Sequence, residues 1–490
     1  MLRMVPLPVP GRNLSAGAFI CQNALMTAYR FALALPLALL AAPATAQQLT
    51  PQEAAAVDRL VTATLADTGV PSASVAIVRE GETVFAKAYG KQSERAGAAD
   101  ANAIYPIASI SKQFVATVLQ QLENEGKLSL DDRVAKYMPD VSGADRITIR
   151  QLLSHTSGLQ DYWPQDYSFA AMATATRPEG IIDRWGKKPL DFEPGAQWQY
   201  SNTGYVVAGQ IARRVTGKTI VQLMQERLLK PLGIRAVDQD DAVGRGYPQG
   251  YQRFALGPVR LEPPAARGWL YAAGDLAMSA RDLAKWNVAR LNRAPFLPAE
   301  DWAEQETPVK LTDGSASSYG LGVVAGARDG RRTVEHSGGA VGFLLQNMVF
   351  PDQKAAVTVL TNGSFSDTST RIATGLARIV LPPTDAQDAA ALTAARTLFD
   401  QLRRGAPDAA RLTENARFYF TPAALADYRD SLSELGEPTS FTQVGRASLR
   451  GGFVQRRFRV VYPDRALGVS TFAEPGTNGR WEQFMVSPAQ

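Results

Sequence analysis

The chain is poor in the residues that usually carry metal and redox chemistry: its 490 residues include one cysteine, Cys21, and two histidines, His155 and His336. A single thiol forms no intramolecular disulfide, so stability must come from a core, which a chain of this size can build. A zinc site would need mostly carboxylates, an unusual ligand set. No G-x-S-x-G is present, which argues against the nucleophile elbow of α/β-hydrolases; a glycine-rich phosphate loop and a dinucleotide fingerprint are missing too. No cofactor and no metal are therefore expected. Blocks of like charge are also missing, and basic residues are interspersed with acids, so no nucleic-acid partner is expected.

The N-terminus carries an address. Met26-Thr-Ala-Tyr-Arg30 is a short basic region, Phe31 to Ala42 is apolar, and Ala44-Thr-Ala46 is a small-residue cleavage signal before Gln47. The apolar stretch is too short to span a bilayer. The reading is a periplasmic or secreted protein, cleaved after Ala46, with residues 1–25 an extension upstream of a complete signal peptide. Ile20, where a lipoprotein has a small residue, disfavours lipid attachment at Cys21. Removing residues 1–46 takes away Arg3, Arg12 and Arg30 and no acid, which brings the formal charge from +5 to +2.

Three short motifs carry chemistry. In Ser109-Ile-Ser-Lys112, the apolar spacing of Phe114, Val118, Leu119 and Leu122 predicts a helix over 110–125 with Ser109 at its start. Residues three apart share a helix face, so the Lys112 amine reaches the Ser109 hydroxyl. A serine needs such a base, and lysine serves only where burial or a helix N-terminus lowers its pKa. The bland alternative is a serine cap. In Tyr200-Ser-Asn202, a loop over 202–204 precedes a helical run from Tyr205; the phenol can move a proton and the amide can hold a carbonyl, against a plain turn with a capping residue. In His336-Ser-Gly338, glycines at 338, 339 and 342 suggest close backbone approach at a strand, and His336 reads equally well as an ordinary hydrogen-bonding histidine.

In this order the motifs resemble the serine β-lactamase-related family: class C-type β-lactamases, penicillin-binding DD-peptidases, D-aminopeptidases and esterases. The likeness extends to Ile147–Leu159 (ITIRQLLSHTSGL), Pro231-Leu-Gly233, Tyr271–Leu276 (YAAGDL), Tyr319-Gly-Leu-Gly322 and Leu360-Thr-Asn362, and so covers about residues 50–380. It implies Ser109 as the acylated nucleophile, Lys112 as proton acceptor and Tyr200 as proton donor to the leaving group. Asn202 would bind the substrate amide, and His336, Ser337 and Gly338 would line the edge strand. The N–H groups of Ser109 and Gly339 would form the oxyanion hole, and His155 would be structural. Where many β-lactamases have Lys-Thr-Gly this chain has His-Ser-Gly, and a histidine with a pKa near about 6.5 is mostly neutral at pH 7. That change disfavours substrates recognised by a carboxylate.

The resemblance implies an α+β fold of the β-lactamase/transpeptidase type: an antiparallel sheet flanked by helices, an all-helical insert, and a small C-terminal α+β domain. The predicted division is 1–46 signal region, 47–382 catalytic domain and 383–490 accessory domain, the last having no nucleophile or ligand cluster. Helices are expected at 51–65, 368–380, 385–404 and 421–435. Hairpins are expected over 74–89 and 344–361, and later strands at 438–445, 453–462 and 467–474. The leading function is an exported serine hydrolase acting through a Ser109 acyl-enzyme on an amide, peptide or ester. The alternatives are a β-lactamase or DD-carboxypeptidase and, from another class, a non-catalytic binding protein. The expected partner is a small-molecule or peptide substrate, cell-wall peptides included; the sequence is silent on oligomeric state.

Overall fold

Along Ser72–Arg79, Ala73, Val75 and Ile77 enter one apolar cluster while Ala76 and Val78 enter another. That period of two marks a strand buried on both faces. It pairs with Glu82–Gly90 in the predicted hairpin and, on its other side, with Ala355–Thr361. The complete six-stranded sheet is antiparallel, in the order 82–90, 72–79, 355–361, 343–350, 331–340, 324–328. The chain is described here by a computed structural model covering residues 48–489 apart from 95–97, 166, 245, 330, 382–385 and 477. The predicted signal region, its cleavage site and the 382/383 boundary lie outside the described residues.

Helices Pro51–Thr68 and Thr368–Val380 cover one face, setting Val57, Val61, Ile372 and Leu376 against Val75, Ile77, Val357 and Val359. The first opens with the predicted capping box, in which Glu53 N–H donates to Thr50 Oγ1 and Thr50 N–H to the Glu53 carboxylate. The other face packs against the helix-rich insert, led by Lys112–Asn124, Asn202–Thr216 and Ala280–Leu291. The insert also carries short strands. Leu276–Met278 pairs with both Tyr105–Pro106 and Ala236–Asp238, which brings residue 276 beside the segment leading into Ser109.

From Ala386 the chain encloses a third core. Helices Ala386–Arg403 and Pro422–Ser433 pack on a four-stranded antiparallel meander, 440–450, 453–461, 466–473 and 481–488, around Phe399, Phe458, Trp481 and Phe484. The fourth strand, Trp481–Pro488, is absent from the sequence reading because its apolar residues do not alternate cleanly. The described residues, 48–489, fall within one compact unit. Among the described residues no helix is long and apolar enough to cross a membrane.

Candidate active site

Ser109 does not open the α-helix. Ala108–Ser111 is a 3-10 turn and the α-helix runs Lys112–Asn124, two residues later than expected. Ala108 is held at φ +47°, a left-handed conformation that costs a non-glycine residue about 1–2 kcal/mol. Its neighbours enforce it. A Cβ added to Gly338 would lie 2.5 Å from the Ile107 carbonyl oxygen, and one added to Gly274 would lie 3.1 Å from the Ala108 carbonyl carbon. Ile107 N–H donates to Leu276 O at 2.9 Å, and Leu276 N–H donates to Ser111 Oγ at 3.1 Å. Behind the turn Phe114, Val115, Val118, Leu119 and Leu122 are buried, each contributing about 1.5–3 kcal/mol. The serine therefore sits on a rigid mount.

Lys112 is fully buried. Its Nζ lies 3.1 Å from Ser109 Oγ, 2.9 Å from Asn202 Oδ1 and 2.6 Å from the Ala273 carbonyl oxygen. Burial pushes its pKa down to about 7, against the opposing charges of Asp161 and Asp275. Asn202 is the first residue of the Asn202–Thr216 helix, not part of a loop as expected, because Ser201 in extended conformation caps Gly204 N–H. The Asn202 amide is oriented by Asp161: its backbone N–H donates to Asp161 Oδ1 at 3.0 Å and its Nδ2 to Oδ2 at 3.2 Å. Its oxygen is thereby turned toward the lysine, and one Nδ2 proton is left over for another acceptor.

Tyr200 completes the group. Its phenol interacts with Ser109, while burial drives its pKa upward, and the Lys112 ammonium position lies 4.9 Å from its ring centre. The His155 ring stacks beneath it with centroids 4.2 Å apart. His155 accepts Ser201 N–H at Nδ1 (3.1 Å) and is held at φ +59°; burial and the Lys112 charge keep it neutral. It is a shelf for the tyrosine.

The third motif arrives on Arg331–Ala340. The neighbouring strand pairs only as far as Glu335, so the edge is open from His336 onward. Burial alternates along it: Ser337 and Gly339 are exposed, whereas His336 and Gly338 point inward. His336 Nε2 meets the Tyr319 hydroxyl at 2.7 Å. Burial, then the Lys112 charge, pushes its pKa down to about 4. Gly338 makes the predicted close approach, but to the 107–111 turn; Gly339 has only Leu344 Cδ2 near the position of a Cβ.

Four groups escaped the motif reading: the Ala273 carbonyl, Asp161, Asp275 and Tyr319. Two of the blocks that carry the family resemblance, Tyr271–Leu276 and Tyr319–Gly322, contain three of them and held that signal. Asp161 follows Leu159 by two residues and had none. Among the described residues no cluster of three His, Cys, Asp or Glu could hold a metal ion.

The sequence pattern of the family described as Beta-lactamase matches residues 57–381. D-aminopeptidase of Brucella anthropi is 27% identical over 328 residues, 64% of this chain and 59% of that protein. Penicillin-binding protein 4* of Bacillus subtilis is 28% identical over 278 residues, 53% of this chain and 61% of that one. This chain spans 50% to 61% of the length of such curated relatives. Among solved structures, a D-stereospecific amidohydrolase from Streptomyces sp. superposes with TM-score 0.57 at 30% identity, covering 65% of this chain and 96% of that one. An octameric penicillin-binding protein homologue from Pyrococcus abyssi, 23% identical, shares the fold over 88% of this chain and 95% of its own with TM-score 0.56.

Proposed function

Because the chain belongs to the β-lactamase family, with 57–381 matched, we propose that it is an exported serine hydrolase that cleaves amides, peptides or esters through a Ser109 acyl-enzyme. The observation that carries this reading is the partner set of Lys112. Asn202 Oδ1 and Ala273 O are acceptors only, so they take both N–H bonds of a neutral amine. In the neutral amine those two bonds leave the lone pair for the third neighbour, Ser109 Oγ, 3.1 Å away. With its pKa near about 7 the amine is neutral in a large fraction of molecules at physiological pH.

In the proposed cycle Lys112 Nζ takes the Ser109 proton as Oγ bonds to the substrate carbonyl carbon. The π pair moves to oxygen, where the N–H groups of Ser109 and Gly339 receive it. Collapse expels the amine or alkoxide, which gains its proton from Tyr200, and Lys112 passes on the proton it took so that the phenol is restored. Water then gives up a proton to the neutral Lys112 as it attacks the ester carbonyl, and that proton goes to Ser109 Oγ as the acid leaves. Substrate recognition is proposed to do without a cation on the 336–339 strand, since His336 is buried and neutral. Amides of the kind named for the Streptomyces amidohydrolase fit better than carboxylate-recognised β-lactams or D-Ala-terminated peptides. Residues 383–490 are proposed as an accessory domain, and the predicted signal peptide as the export route.

Fluorophosphonate labelling followed by intact mass tests the reading. One adduct on the wild type and none on Ser109→Ala are expected; an unlabelled wild type would favour the non-catalytic alternative. A panel of p-nitrophenyl esters, D-amino acid anilides and nitrocefin then ranks substrates, and nitrocefin as the fastest would favour the β-lactamase alternative.

A further inference from the structure

Asp275 takes no part in that scheme, yet its carboxyl is buried and its charge acts on Lys112. Its Oδ2 accepts Ala272 N–H at 2.8 Å. Ala272 stands at φ +56°, the left-handed region, and the next residue supplies the carbonyl oxygen 2.6 Å from Lys112 Nζ. Gly274 packs on the strained Ala108, and Leu276 bonds both Ile107 and Ser111. The tetrapeptide Ala272–Asp275 thus forms a collar round the nucleophile turn, tied by one side chain. The other oxygen, Oδ1, is buried with no hydrogen-bond partner among the described residues.

We propose that Asp275 is a positioning residue, which holds the Ala273 carbonyl against Lys112 and lays its own negative charge on that amine; this rests on Lys112 being the base. The charged and titratable groups around Asp275 are Asp238 and Asp240 on the 236–241 segment, Lys112 on the nucleophile helix, and the phenols of Tyr162 and Tyr271. Burial, reinforced by Asp238 and Asp240, pushes Asp275 up to about 7, the range to which Lys112 is brought down. Groups so matched titrate as a pair. The carboxylate favours the ammonium form, so its presence holds the onset of activity at higher pH.

Asp275→Asn separates the two effects, because its carbonyl oxygen still accepts Ala272 N–H while the charge is gone. Rates of fluorophosphonate labelling are measured from pH 5 to 9 on the full exported protein. In Asp275→Asn the acid limb should move to lower pH by roughly one unit, with a plateau close to wild type. Asp275→Ala, which also loses the tie, should label about tenfold or more slowly at every pH. Should Asp275→Ala fail to fold by circular dichroism, Asp275→Asn decides alone. A labelled wild type whose acid limb is unmoved in Asp275→Asn overturns the inference and leaves the serine-hydrolase reading standing. A wild type that takes no label overturns both.

Discussion

His336 Nε2 and the Tyr319 hydroxyl lie 2.7 Å apart within a wall of rings that includes His155 and Tyr200. The histidine that replaces a lysine in this motif is therefore a wall residue and not a weakened cation. Its acceptor or donor is fully used by tyrosine on one side and by the Ser337 carbonyl (2.6 Å) on the other.

A consequence concerns substrate charge. Removing the ring should leave the pH profile between 5 and 9 unchanged, since a group with a pKa near about 4 does not titrate there. His336→Ala should cost about 1–3 kcal/mol of stability by removing the ring from the wall and one of the two partners of the buried Tyr319 hydroxyl, the other being Tyr205. Denaturant unfolding and a pH–rate profile check the two parts. Matched neutral and carboxylate-bearing substrates should show no preference for the anion in kcat/KM.

In the proposed mechanism the lysine sets the acid limb. Activity should rise with pH through about 7 as Lys112 loses its proton, because the base works only when neutral and the protonated form dominates below that point. Lys112→Met should lower the acylation rate by about 10²–10⁴-fold. Lys112→Arg should not restore it, because guanidinium does not deprotonate in a protein. Single-turnover acylation across pH is the measurement.

Two adjacent glycines should answer differently to the same change. In Gly338→Ala the new methyl meets the Ile107 carbonyl at 2.5 Å and Leu345 Cδ1 at 2.7 Å, so about 1–3 kcal/mol of stability and much of the labelling rate should be lost. Gly339→Ala keeps its N–H and meets only Leu344 Cδ2 at 3.6 Å. It should stay near wild type in melting temperature. Equal effects would remove the packing argument.

The mount of the Lys112–Asn124 helix depends on one carboxylate. Glu306 receives Arg290, Arg293 and Arg332. Burial opposes its ionisation, but the bond from Arg293 and the charge of Arg290 hold its carboxyl below the usual range. Arg290 is 1% exposed and also reaches Gln113 on the helix. Glu306→Gln leaves that guanidinium without a counter-charge and should destabilise by about 3–5 kcal/mol. The acid limb should not move, because neither Glu306 nor Arg290 acts on Lys112.

Much of this molecule is legible locally. The Pro51–Thr68 helix announces itself through Thr50 and Glu53, the Ser72–Gly90 hairpin through its turn, and Thr368–Val380 through its apolar spacing. Those signals lie within a few residues of the structure they specify. The Asn202 start and the Trp481–Pro488 strand escaped for the converse reason: Ser201 has to adopt an extended conformation to cap, and the last strand is recruited by a sheet already formed.

The sequence by itself determined the three motifs, their order, the amphipathic helix behind Ser109 and the lysine three residues on. Only the tertiary structure decided what surrounds those residues. Lys112 is ringed by Asn202 and Ala273, 90 and 161 residues away, and its burial, not its helix position alone, leads the fall in its pKa. His336 turned inward because strand alternation places it opposite Ser337, toward Tyr319. Spacing along the chain places a nucleophile beside a base; desolvation and acceptor geometry, which arise from distant segments, decide whether that base has a lone pair to offer.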